Sequence, residues 1–144
     1  MTAIPQSVAT EFSFALHAAA NRMVRLHKPF LGPLDLTFSQ YLVTLELFNG
    51  APLTVGELCI RLDMETGTMT PLLKRLEAAG VVTRTRDASD ERRVLIDLSA
   101  HGRGMEEDLR SIPNKIRVAC QLNVDELEEL RRTLDGIGRP AAES

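Results

Sequence analysis

Residues 66–94 read TGTMTPLLKRLEAAGVVTRTRDASDERRV, and two periodicities meet inside this stretch. From Thr66 to Ala79, residues Met69, Leu72, Leu73 and Leu76 recur at helical spacing and share one face, and Gly80 stands where a left-handed C-terminal residue belongs. The period then falls to two. Val81–Arg86 and Val94–Leu98 are rich in β-branched residues and flank the polar segment Asp87–Arg93, which predicts a hairpin with a charged tip.

Outward from this stretch the signals are mostly helical. Thr37-Phe-Ser-Gln40 is a capping box that opens a helix over Tyr41–Phe48, stopped by Asn49-Gly50. Thr54-Val-Gly-Glu57 repeats the signal and starts a short helix through Leu62. Phe12, Leu16, Met23, Leu26 and Phe30 predict a first helix over about residues 10–31, ending around Pro33, with Pro29 a candidate kink. Downstream, Ser99 is placed to cap a long helix from about Ala100, Pro113 is expected to break or restart it, and Asn123 with Glu126 caps a last helix through about Ile137. Met23, Met64, Met69 and Met105 stand at core-like positions, and the ends, residues 1–7 and 139–144, read as loose.

The 144 residues, 44% hydrophobic and 26% charged, suit one soluble domain with a core of its own. No apolar run approaches the roughly 20 residues of a membrane span, and the N-terminus has no basic segment followed by an apolar one, so a cytoplasmic protein without membrane partners is expected. Cys59 and Cys120 are far apart and outside any metal-ligand spacing, which predicts reduced thiols, no bound metal and no cofactor. Cys59, between Leu58 and Ile60, reads as a small buried packing residue. The formal net charge is −3, yet Thr66–Arg93 holds six basic side chains against four acidic. The positive charge is local.

Helix, short helix, turn, helix and hairpin in this order make a mainly α fold with a small β-hairpin wing, a winged helix-turn-helix. In such a fold the second helix of the motif enters the major groove of double-stranded DNA and the wing touches the backbone or minor groove. Thr66, Thr68 and Thr70 put hydroxyls at the positive end of that helix, and Lys74 and Arg75 follow one turn later on the polar side. Arg75 has the reach for a bidentate guanine contact or a phosphate. Arg92 and Arg93 at the hairpin tip can enter a narrow minor groove, Arg86 adds charge to the same ribbon, and Asp90 is placed to orient Arg92.

The stretch 66–87 together with Ser89-Asp-Glu-Arg-Arg-Val94 resembles the MarR family of bacterial transcription regulators, and within it the organic-hydroperoxide-responsive branch, OhrR. The likeness extends through Tyr41-Leu-Val43, Leu53-Thr-Val-Gly-Glu-Leu58 and Lys28-Pro29, and covers roughly residues 11–135. It implies a cytoplasmic homodimer, with residues of about 10–36 and 99–138 forming a helical dimerisation region and about 37–98 forming the DNA-binding lobe of a single domain, 1–144. It further implies a repressor on a pseudopalindromic operator, with Thr66, Thr68, Thr70, Pro71, Lys74 and Arg75 at major-groove positions and Asp90 and Arg92 at wing positions. Glu65 stands where this branch often has Asp at the helix start, which weakens the cap.

The peroxide-sensing members carry a reactive cysteine in the first helix, supported by tyrosines from that helix and the next. The corresponding positions here are Ser13 for the cysteine and His17, His27 and Phe38 for the tyrosines, and serine forms no sulfenic acid. The remaining effector readings are a small molecule held in an apolar pocket with His17 and His27 as polar handles, a redox role for Cys120, or no effector. Enzyme chemistry finds no support: there is no Gly-rich phosphate loop, no HExxH and no GxSxG. The rival readings are a winged-helix dimer that works as a protein-interaction module without specific DNA binding, and a thiol enzyme using Cys59 or Cys120.

Overall fold

The computed structural model describes Val8 and residues 11–139, so the expectation of loose ends falls almost wholly outside the described residues. They form two compact units, one ending at Arg110 and the next starting at Ser111. The elements run α1 (Phe12–Leu31), a 3-10 turn (Gly32–Leu34), α2 (Phe38–Gly50), β1 (Leu53–Thr54), α3 (Val55–Leu62), α4 (Thr66–Ala78), β2 (Val82–Asp87), β3 (Asp90–Leu98), α5 (Ala100–Arg103), α6 (Glu106–Ala119) and α7 (Val124–Gly136).

The helix starts are fixed by side chains that sequence spacing already marks. Thr37 with Gln40, Thr54 with Glu57 and Asn123 with Glu126 all close reciprocal capping boxes. At the end of α4 the backbone satisfies itself. Gly80 N–H donates to Glu77 and Val81 N–H donates to Leu76, a Schellman closure that needs the positive φ of 77° held by Gly80. Asp63 takes the same left-handed conformation after α3, and a three-residue turn leads from there into α4.

In the first unit β3 is the central strand, with β2 on one side and β1 on the other, all antiparallel. Val82, Ile96, Leu98 and Leu53 are buried on this small sheet, and Tyr41, Val43, Leu47, Leu58, Met69, Leu73 and Leu76 bury the inner faces of α2, α3 and α4. Each fully buried side chain of this size contributes about 1.5–3 kcal/mol.

The wing is longer and its turn tighter than the sequence predicts. Strand β3 begins at Asp90, so Arg92 and Arg93 lie in a strand and only Ala88 and Ser89 form the turn. The cause is the Asp87 carboxylate, which accepts the Ser89 N–H at 2.9 Å and the Ser89 hydroxyl at 2.7 Å and closes the hairpin locally. Strand β1 leaves no signal in the sequence, since two residues carry no period.

Pro113 does not break the chain as expected, because α6 runs through it. The residue is exposed, so its ring costs one ladder bond and displaces no packed neighbour. The interruption falls instead after α5, at Gly104-Met105. Pro29 likewise lies inside α1. Cys59 is half-buried, not buried, with its thiol 3.9 Å from the Thr66 hydroxyl. Of the four methionines named, Met69 and Met105 are buried, Met64 is half-buried and Met23 is exposed, because it lies in a stretch of α1, residues 19–25, that is exposed throughout.

Gly102 in α5 packs directly on the base of the wing, where an added Cβ would collide with the Val81 carbonyl oxygen. Ser99 locks the same corner, its hydroxyl within reach of the Gly80 and Val81 carbonyls while accepting the Gly102 N–H at 3.0 Å. Gly102→Ala is therefore expected to destabilise the fold by about 1–3 kcal/mol. Gly104→Ala, with its nearest neighbour at 3.4 Å, is expected to stay within about 0.5 kcal/mol of the parent. Urea denaturation at one protein concentration measures both.

Candidate nucleic-acid interface

Helix α4 is split lengthwise. Met69, Leu72, Leu73 and Leu76 are buried, while Thr66, Thr68, Pro71, Lys74 and Arg75 are exposed and Thr70 is half-buried. Its N-cap, Glu65, makes no side-chain capping bond, so the positive end of the helix dipole stands at an exposed terminus flanked by threonine hydroxyls. Lys74 and Arg75 make no ion pair among the described residues.

The wing spends most of its charge internally. Arg86 Nη1 donates to the Glu91 carbonyl at 2.8 Å, and Arg84 lies 4.0 Å from Glu77. Arg93 reaches Glu57 at 3.7 Å and Asp87 at 3.8 Å. Arg92 projects instead: its side chain is 92% exposed, and its Nε donates to Asp90 Oδ1 at 3.2 Å, which steers the guanidinium without enclosing it. Asp90 also accepts the Arg92 backbone N–H at 3.1 Å, so one carboxylate orients both ends of the residue. Exposed pairs of this kind add little stability, and their effect is to fix direction.

The structure thus leaves one helix end, the two α4 cations and the steered Arg92 exposed, and it engages Arg86 within the wing and Arg93 with both Asp87 and Glu57. Glu57 escaped sequence reasoning in this role. Its capping-box spacing was legible, but its pairing with Arg93 depends on how β3 lies beside α3.

The other candidates separate into distinct places. Ser13 and His17 are exposed on the first half of α1, where Asn21 Nδ2 donates to His17 Nε2 at 3.2 Å. His27 lies about 21 Å of helix rise beyond Ser13. It is buried, its Nδ1 donates to the Met23 carbonyl at 2.7 Å, and its ring packs edge-on against Phe38 at 4.7 Å and beside Tyr41 at 5.6 Å. Burial raises the Tyr41 hydroxyl pKa. Next to this cluster, Val24, Leu31, Leu36, Phe38, Thr37 and Lys28 line a mostly apolar cavity of about 400 Å3. Cys120 lies half-buried at the end of α6 in the second unit. Among the described residues no group of His, Cys, Asp or Glu is arranged to hold a metal, and no helix is long and apolar enough to cross a membrane.

A helix-turn-helix with an exposed polar recognition face and a basic β wing defines the winged-helix class of DNA-binding regulators. The family model for the transcriptional regulators SarA/Rot matches residues 25–109. The transcriptional regulator TtmR of Methylorubrum extorquens (strain PA1) is 41% identical over 88% of this chain, which spans 65% of that relative's length. The organic hydroperoxide resistance transcriptional regulator of Bacillus subtilis (strain 168) is 36% identical over 86% of this chain and 84% of its own. Among solved structures, a cysteine-to-serine mutant of E. coli MarR complexed with operator DNA superposes with a TM-score of 0.80 at 26% identity, covering 91% of this chain and 96% of that one. Overoxidised AbfR bound to DNA gives 0.70 at 32% identity, covering 89% and 94%. The chain belongs to the MarR/SarA-type family of transcriptional regulators, with relatives in its organic-hydroperoxide branch.

The turn that shapes the wing is sensitive to acid. The two Ser89 hydrogen bonds, and secondarily the Arg93 charge, hold the Asp87 carboxyl below the usual aspartate range. A depressed carboxylate supports the turn at neutral pH and releases it only as pH falls through the depressed value. The Ser89 amide resonance is therefore expected to titrate with a midpoint below about 3.9, and Asp87→Asn to abolish that titration. A midpoint at or above about 3.9 counts against the hydrogen-bonded turn.

Proposed function

We propose that the chain acts as a homodimeric repressor that binds a pseudopalindromic operator and leaves it on binding a small-molecule effector. The observation that carries this reading is the polar face of α4, where Lys74 and Arg75 stand free of ion pairs among the described residues, beside the exposed Thr66 and Thr68. A solvated helix face needs no such arrangement, whereas a major-groove reader needs short hydroxyls near the helix start and long cations one turn on. Thr66, Thr68, Thr70, Pro71, Lys74 and Arg75 form the proposed major-groove set, and Arg92, aimed by Asp90, enters the adjacent minor groove. Arg86 supports the ribbon from within. The related structures named for their DNA complexes, MarR with its operator and MepR from S. aureus, favour DNA as the partner of this fold.

Dimerisation is supported by apolar surface that a monomer has no reason to expose. Phe12, Phe14, Met23 and Val24 stand out on α1, and Leu127, Leu130, Leu134 and Ile137 form a helical stripe along and just past α7. We assign residues of about 10–36 and 99–138 to the dimer and about 37–98 to the DNA-binding lobe. A two-fold dimer then sets two α4 helices about 34–36 Å apart, one turn of DNA. The effector is proposed to enter the cavity beside Lys28, where apolar walls and one cation suit a small organic anion. His27 is a wall of the neighbouring cluster, and Ser13 and His17 lie outside the cavity lining. The protein acts by binding and not by turnover, as its relatives are transcriptional regulators.

Two outcomes check this reading. In fluorescence anisotropy on DNA from upstream of its own gene, Arg75→Ala is expected to cost about 1–3 kcal/mol on the selected site and to relax selectivity against scrambled DNA. An equal loss on both DNAs assigns Arg75 to phosphate, and no loss on either removes α4 from the interface. Because Ser13 replaces a thiol, brief organic hydroperoxide treatment is expected to leave operator affinity unchanged. A thiol-reversible fall that survives Cys59→Ser but not Cys120→Ser would make Cys120 the sensor.

A further inference from the structure

We propose that Arg93 is a positioning residue: with Glu57 it forms a strut that sets the angle of the wing against the helix-turn-helix. Its consequence for DNA rests on the operator-binding reading above; the strut itself does not.

Toward the wing tip the sheet runs out of strands. Strand β1 pairs with β3 only at Leu53–Ile96 and Thr54–Leu95. From Arg86–Val94 to the turn the wing is a two-stranded ribbon, and its register shifts between Arg86 and Asp87. A lone two-stranded ribbon is marginal in water, and an irregularity of this kind is where such a ribbon bends. Arg93 sits beside this weak point. Its Nη1 lies 3.8 Å from Asp87 Oδ2, across the irregular step on β2, and its Nη2 lies 3.7 Å from Glu57 Oε1, in the first turn of α3. One guanidinium therefore ties both strands of the ribbon to the helix that precedes α4.

Glu57 is itself held. Its Oε2 accepts the Thr54 N–H at 3.4 Å in the capping box that begins α3, and Thr54 belongs to β1. The free oxygen of an already ordered carboxylate thus faces Arg93, which lowers the entropy lost on pairing. Arg92 points outward from the same strand, so neighbouring arginines divide two tasks: Arg92 reaches away and Arg93 holds the ribbon that carries it.

Glu57→Gln is the deciding variant, because glutamine preserves the capping box while removing the charge. In the DNA-free protein, amide hydrogen exchange over residues 86–94 is expected to quicken about two- to fivefold in Glu57→Gln and in Arg93→Gln, with α3 amides unchanged. On operator DNA, Glu57→Gln is expected to weaken binding by a similar factor and to reduce hydroxyl-radical protection of the minor groove while major-groove guanines stay protected. Removing an acidic charge would by electrostatics alone tighten DNA binding, so the sign separates the two accounts. Unchanged exchange in the wing of Glu57→Gln overturns the strut. So does tighter binding by Glu57→Gln, or a loss in Arg93→Gln that simply adds to that of Arg92→Gln, which makes Arg93 a direct phosphate contact. If the parent chain shows no selective binding, the operator reading falls, and the exchange measurement still decides the strut.

Discussion

Burial of Met69, Leu73 and Leu76 at 0–1% exposure fixes helix α4 about its own axis, and the DNA-reading face proposed for this protein follows from that rotation. A helix presents only two broad faces, so once one is committed to the core the identity of the other is settled. Turning α4 by one residue, about 100°, would place Lys74 or Arg75 in the core at a cost far larger than any contact they make outside. Helices α2 and α3 and the base of β2 supply the wall on which α4 rests. The Schellman closure at Gly80 then sends the chain directly into the wing.

The wing depends on a different balance. Its tip has no apolar face to bury, and it is held by the Asp87–Ser89 turn, the Arg86–Glu91 hydrogen bond and the pairing of Arg93. Each is exposed and individually weak, so the wing tip is held more loosely than a packed element of the core. A reader of minor-groove shape gains from that arrangement, since a ribbon that can adjust meets DNA whose width varies with sequence. Gly102 sets the limit of this freedom. Its close approach to the Val81 carbonyl anchors the base while leaving the tip outside the packed region.

Much of this was legible in the sequence because the deciding signals are local. Capping boxes at Thr37, Thr54 and Asn123, the apolar spacing of α4 and the glycine after it each follow from the geometry of one or two turns. The same holds for the threonines and cations of α4, which a one-face helix sends outward. Other features were hidden because they depend on distant partners. The polar strand Asp90–Arg93 reads as loop until its turn is seen to close at Asp87, and β1 exists only because β3 lies beside it. Cys59 looked like core from its apolar neighbours, but α3 turns it toward Thr66. The grouping of His27 with Phe38 and Tyr41 required knowing where α1 crosses α2, and so did the cavity beside Lys28.

In the proposed complex two copies of α4, related by a two-fold axis, read DNA through their polar faces. Selection of bound sequences from a random DNA pool at near-physiological salt tests it most directly, because it presupposes neither operator nor effector. The expected result is enrichment of an inverted repeat whose half-site centres lie about 10–10.5 base pairs apart. Recovery of unrelated sequences, or of a single unrepeated site, would contradict it.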